Sequence, residues 1–115
     1  MSILNVLPKN KKEELAEIVE SLKKSLAPEK IILFGSYAKG AFTENSDFDI
    51  YVIVSDSDDN EIELCQKAYC ELPKRAETSL DLLVTHKSKF DKRTSMNTLE
   101  QVVAKEGIEL YGRSV

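Results

Sequence analysis

Apolar residues recur at Leu15, Ile18, Val19, Leu22 and Leu26, with Lys and Glu between them. Steps of three, one, three and four place them on one face of a helix, predicted from about Lys9 to Leu26. Pro8 suits the start of such a helix, and Pro28 stands just past its end. The run Lys30-Ile31-Ile32-Leu33-Phe34 is short, rich in strand formers and stopped by Gly35, which predicts a buried strand. The stronger strand signal is Asp47 to Val54, and the polar residues Asp56 to Asn60 close it as a turn. A helix is expected from Glu61 to Leu72, broken by Pro73, followed by a third strand from about Ser79 to Thr85. After a basic loop, Met96 to Glu106 reads as the last helix, with Gly107 as its stop. Ile108, Leu110 and Tyr111 are expected to tack the tail back onto the body. Alternating helices and strands around a small sheet give an α/β or α+β class.

At 115 residues and 42 % apolar content, one domain with a real core is expected, without need of a disulfide or structural metal. Cys65 and Cys70 are five residues apart on a predicted helix, so their side chains diverge and form neither a bridge nor a metal-ligand pair. Acidic residues outnumber basic ones by 20 to 16, for a net charge of −4. That balance argues against direct, sequence-independent nucleic-acid binding, which needs a basic face. It leaves room for a nucleotide whose phosphates are neutralised by metal ions. No signal peptide or membrane-length apolar run is present, so a cytoplasmic location without membrane contact is expected.

Three features carry candidate chemistry. The first is Phe34-Gly35-Ser36-Tyr37-Ala38-Lys39-Gly40, a strand ending at Gly-Ser. Gly35 lets the backbone approach a ligand closely, and Ser36 offers a hydroxyl and an N–H at the start of a short helix. Such a turn can seat the outer phosphates of an NTP, with Lys39 adding a positive charge, although many strand-to-helix turns look alike. The second is Ser46-Asp47-Phe48-Asp49. Alternate strand residues face one way, so both carboxylates would project from one face while Phe48, Ile50, Val52 and Val54 anchor the other. Neighbouring carboxylates repel unless a cation lies between them, and oxygen ligands of this kind suit Mg2+. The plainer alternative is that Asp47 caps a turn and Asp49 is solvated. The third is Asp81 inside Leu80-Asp81-Leu82-Leu83-Val84, where a charge is costly unless paired, metal-bound or turned to water on an edge strand. If that strand lies beside the second, the three carboxylates form the ligand set of two-metal catalysis, and Asp81 could also take a proton from an attacking hydroxyl.

Gly35-Ser36, then ten residues, then Asp47-x-Asp49, with Ser46 before the first Asp and Asp81 on a later strand, resembles the signature of the DNA polymerase β-like nucleotidyltransferases. The resemblance covers roughly Leu22 to Tyr111. It implies a small mixed sheet with packed helices and an NTP substrate, ATP above all. Asp47, Asp49 and Asp81 are implied as catalytic ligands of two Mg2+ ions, and Gly35 and Ser36 as phosphate-binding residues. Among these enzymes the chain looks like the minimal nucleotidyltransferases paired with a small helical HEPN-type protein, since relatives acting on antibiotics or RNA usually carry a further acceptor-holding domain. In such pairs the nucleotidyltransferase is an antitoxin that transfers AMP to a tyrosine of its partner, an assembly compatible with homo- or hetero-oligomers. One departure stands out. Many relatives read Gly-Ser-Arg-x-Arg-Gly, where this chain has Tyr37 and Lys39, losing two bidentate guanidinium groups.

Asp56 to Asn60 begins like a calcium-binding EF-hand loop, but Glu61 and Lys67 occupy positions that need Gly and Glu. His86, the only histidine, is expected on the surface, close enough to Asp81 to touch an acceptor. The basic stretch from His86 to Arg93 is read as solvated surface, with contact to a phosphate-bearing acceptor or acidic partner as the alternative. Two competing functions stand beside a protein-modifying enzyme. One is an antitoxin that binds and occludes without catalysis; the other is a small-molecule or RNA nucleotidyltransferase completed by a second subunit.

Overall fold

The computed structural model describes residues 6–74 and 77–113. Its order is α1 (Lys9–Leu26), β1 (Lys30–Phe34), α2 (Gly35–Lys39), β2 (Phe48–Val54), α3 (Glu61–Cys70), β3 (Leu80–His86), α4 (Lys87–Thr94), α5 (Leu99–Glu106) and β4 (Ile108–Gly112). The four strands form one mixed sheet in the order β3-β2-β1-β4. β1 is antiparallel to both β2 and β4, whereas β2 and β3 run parallel.

Helix α1 and strand β1 have the predicted limits. Leu15, Ile18 and Leu22 of α1 are buried, and Ala27 turns into the left-handed region (φ 45°) to end the helix, its N–H donating to Lys23 O. They pack with Ile31, Leu33, Phe48, Ile50, Val52, Leu82, Val84 and Ala68 of α3 into the larger core. Asn60 begins α3 by accepting from the Ile62 and Glu63 N–H groups, so the Asp56–Asn60 segment is a turn and a helix cap. Cys65 and Cys70 are both free thiols.

The opposite face of β2 departs from expectation. Tyr51 and Ile53, which share the face of Asp49, are buried with Ile32, Phe90 and Val103 in a second core. Val103 covers this face from the predicted last helix, but Phe90 lies where a basic loop was expected. His86 and the stretch after it instead end β3 and form α4. Only Phe90 of α4 is buried, too little for a hydrophobic period to reveal. Asp56 Oδ1 accepts from the Ser88 N–H (2.9 Å), and Lys87 pairs with Asp91 one turn on (2.6 Å). α5 begins at Leu99 rather than Met96, capped by the Thr98 hydroxyl. Gly107 ends it in an extended conformation, not a left-handed one; a Cβ there would stand 2.4 Å from both Ile32 Cγ2 and Val103 O. The tail is a true strand, bonded along β1. No helix among the described residues is long and apolar enough to cross a membrane.

Candidate active site

Asp49 and Asp81 are paired positions of adjacent strands, matched in the β2–β3 register. They therefore share one face at one end of the sheet. Asp47 lies just outside β2 rather than on it, exposed, at the end of a turn held by Ser46. The Thr43 N–H donates to Ser46 Oγ (2.8 Å), and the Ser46 N–H donates back to Thr43 O (3.1 Å). Ser46 thus shapes the approach to Asp47 through its own hydroxyl.

Gly35 closes the other side of Asp49. Its φ of +75° belongs to the left-handed region, and a Cβ would lie 2.1 Å from Asp49 Oδ2. The Asp49 carboxylate therefore rests against the bare backbone where β1 turns into α2. Ser36 follows in the first turn of α2, half-buried. Burial pushes the Asp49 carboxyl above its usual range, helped by the charge of Asp81, a hydrogen bond with Asp81 and the charge of Asp47. Carboxylates paired across two adjacent strands repel unless a proton or a cation lies between them. All their donors are oxygen, so the set fits a hard divalent cation. Among the described residues no three carboxylate, imidazole or thiol groups already stand at ligand spacing, so Asp47 would complete the set by a side-chain movement.

Other expected site residues fall elsewhere. Lys39 is exposed at the end of α2, its Nζ 4.0 Å from Glu106 Oε2 of α5. Tyr37, where many relatives have Arg, points into the core; it is fully buried and stacks on Phe42, with ring centroids 4.6 Å apart. Its hydroxyl is buried without a hydrogen-bond partner among the described residues. Tyr37→Phe is accordingly expected to leave stability unchanged or raise it by about 1 kcal/mol, read by urea denaturation; a clear loss would show a hidden partner for that hydroxyl. His86 does not approach Asp81. It pairs with Val54, five residues further along β3, about 16 Å away. There its Nδ1 lies 3.3 Å from Glu61 and its Nε2 3.3 Å from the Ser57 hydroxyl.

Two polar arrangements near the site have no simple sequence signal. Tyr51 Oη lies 2.8 Å from both Thr85 Oγ1 and Glu100 Oε2; its one proton goes to the carboxylate, so Thr85 donates to it. Burial would raise the Glu100 carboxyl, but hydrogen bonds from Arg93 (2.9 Å) and Tyr51 outweigh it and hold it below the usual range. This network ties α5 to β2 and β3 behind Asp49 and Asp81. The second arrangement is Tyr69 of α3, which bonds the backbone of β3 on both sides of Asp81. A tyrosine in an apolar strand and a carboxylate on a core-facing helix position were the only hints of the first.

Known proteins resemble this chain in sequence and fold. The family described as Polymerase beta, Nucleotidyltransferase matches residues 16–114. A Methanocaldococcus jannaschii protein, named as a candidate protein adenylyltransferase, is 34 % identical over 104 residues, covering 89 % of this chain and 99 % of its own. A chain from a crystal structure of a toxin–antitoxin with AMP-PNP superposes with a TM-score of 0.58 and 29 % identity, over 85 % of this chain and 73 % of that one. A chain from the complex of tri-AMPylated Shewanella oneidensis HEPN toxin with MNT antitoxin gives a TM-score of 0.55 and 27 % identity, over 89 % and 72 %. With the match spanning both the Gly35-Ser36 turn and all three aspartates, the chain belongs to the polymerase beta nucleotidyltransferase family of enzymes.

Proposed function

We propose that the protein transfers AMP from ATP, in the presence of Mg2+, to a hydroxyl of a partner protein, and that this partner is a small helical toxin of HEPN type. The observation that carries the reading is the Asp49 carboxylate set against the bare backbone of Gly35, on a residue paired across β2 and β3 with Asp81. The name of the archaeal relative and the assemblies of the structural neighbours support the acceptor and the partner. The reading places the protein in the cytoplasm, in a complex with that partner.

Asp47, Asp49 and Asp81 would hold Mg2+, which when bound supplies positive charge against the triphosphate and favours ionisation of the attacking hydroxyl. Gly35 keeps the space beside Asp49 free of side chain, and Ser36 offers its hydroxyl and N–H to the outer phosphates. Lys39 reaches those phosphates only by leaving Glu106, and an exposed pair at 4.0 Å costs little to break. Asp81, exposed like Asp47 but on the edge strand beside Asp49, is the carboxylate we assign to the incoming acceptor. It accepts the hydroxyl proton as the oxygen bonds to the α-phosphorus. The bond from that phosphorus to the β-phosphate oxygen breaks, and pyrophosphate leaves.

Incubation with Mg2+, labelled ATP and the product of the neighbouring gene should add one or more AMP units to that product, seen by mass spectrometry. Asp81→Asn should abolish the label while the complex still forms. One observation favours a second reading, a binding antitoxin that occludes its partner. Tyr37 lies in the core and Lys39 stands against Glu106, so neither of these two side chains offers a guanidinium to the phosphate turn. A tight complex with no label from any NTP would establish that reading instead.

A further inference from the structure

Strand β3 is an edge strand of the sheet. The Phe48 N–H donates to Ser79 O, so the odd-numbered residues of this segment, Asp81 among them, turn their backbone groups toward β2. The even-numbered residues turn theirs outward, a row that normally goes to water or to another strand. Here helix α3 runs along that row and presents Glu61, Cys65 and Tyr69, one turn apart. Glu61 accepts from the His86 N–H (2.8 Å), and the Cys65 thiol lies 3.4 Å from Leu82 O. Tyr69 makes two contacts with one atom: its hydroxyl donates to Leu80 O (2.9 Å) and accepts from the Leu82 N–H (3.0 Å).

Those two groups are not arbitrary. Leu80 O belongs to the peptide plane entering Asp81, and the Leu82 N–H to the plane leaving it. Together these planes set φ and ψ of Asp81, and so the direction in which its Cα–Cβ bond points. We propose that Tyr69 is a positioning residue for Asp81, its hydroxyl pinning both peptide planes so that the carboxylate is aimed at Asp49. The proposal rests on the reading of Asp81 as a metal-holding carboxylate. Tyr69 is 42 % exposed, so a phenylalanine there changes little buried surface, and water reaches the two freed backbone groups. Loss of the hydroxyl therefore loosens Asp81 more than it weakens the fold.

The test uses the intact chain without partner or ATP, titrated with Mn2+ in a calorimeter. Tyr69→Phe is expected to bind about ten-fold more weakly than wild type, the scale seen when a group that orients a metal ligand is removed. Glu61→Ala, which frees the same strand edge at its far end, is expected to bind as wild type does. Tyr69→Phe at wild-type affinity would overturn the proposal, and so would equal weakening of both variants, which would make α3 a general edge cover. The thermal midpoint of Tyr69→Phe should stay within a few degrees of wild type; a collapse would make the hydroxyl structural instead. Failure of the metal-site reading has its own signature, because the wild-type chain would then take up no Mn2+ before any variant is compared.

Discussion

Asp49→Asn is expected to give a protein that resists heat better than the wild type without metal and transfers nucleotide on the order of 10³-fold more slowly. The two effects have one cause. Burial and the neighbouring charges of Asp81 and Asp47 work against an ionised Asp49, and its carboxyl titrates above its usual range. The folded chain thus holds that proton more tightly than the unfolded chain does. In the presence of a chelator, the stability that goes with the proton is fully present below the unfolded pKa, and it is lost as pH rises through the raised folded value. Asn keeps the shape and removes the charge, so the decline across that window should disappear and the midpoint at neutral pH should rise. The same exchange removes the central oxygen ligand of the proposed cation site. Losing several kcal/mol of charge stabilisation corresponds to a fall in transfer on the order of 10³-fold. Thermal unfolding against pH, with labelled-ATP transfer in parallel, reads both. An Asp49→Asn protein that is less stable would mean that the carboxylate is satisfied rather than strained, and the case for a cation there would fail.

Gly35→Ala should be nearly as damaging to transfer, and it should cost stability as well. The new methyl would stand 2.1 Å from Asp49 Oδ2 and 2.9 Å from its Cγ, closer than any real contact. The left-handed backbone at φ +75° adds about 1–2 kcal/mol for a residue with a Cβ. The strand end is held by β2, with Phe34 opposite Asp49, so Gly35 has little room to retreat and the carboxylate is the part that must move. A displacement of about 1 Å at a catalytic group can cost on the order of 10²-fold in rate. Gly112→Ala is the control. There a Cβ meets only the carboxylate end of Glu109, which is exposed and flexible, so neither stability nor transfer should change measurably. Urea denaturation and labelled-AMP transfer on the two variants separate the cases. If Gly35→Ala kept full transfer, the Gly35–Asp49 contact would have no part in the chemistry.

How far the sequence reaches can be judged residue by residue. The limits of α1 and β1 were legible because each is a run with one clear period, and burial enforces the period. Free Cys65 and Cys70 and the turn at Asp56–Asn60 followed from spacing alone. The grouping of Gly35-Ser36 with Asp47, Asp49 and Asp81 came from the resemblance to the nucleotidyltransferase signature, since each motif alone also fits an ordinary turn or a solvated strand. The segment after β3 was not legible, because α4 has one buried residue, and a single anchor has no period. Asp47 was assigned to the strand, yet the Thr43–Ser46 turn holds it just outside. Lys39 and His86 sit near the site in sequence, but Glu106 and Glu61 take them elsewhere.

The sequence by itself determined which residues could do chemistry and which stretches had to be buried, because both are properties of side chains taken in order. Only the tertiary structure decided what they meet. A parallel pairing places Asp81 opposite Asp49 through a crossover that no local pattern encodes. A strand end packed on β2 makes Gly35, rather than any small residue, the neighbour of that carboxylate. Tyr51, Glu100 and Tyr69 come to the site from β2, α5 and α3, because register and packing are set by the whole sheet and its two helical layers, not by any one segment.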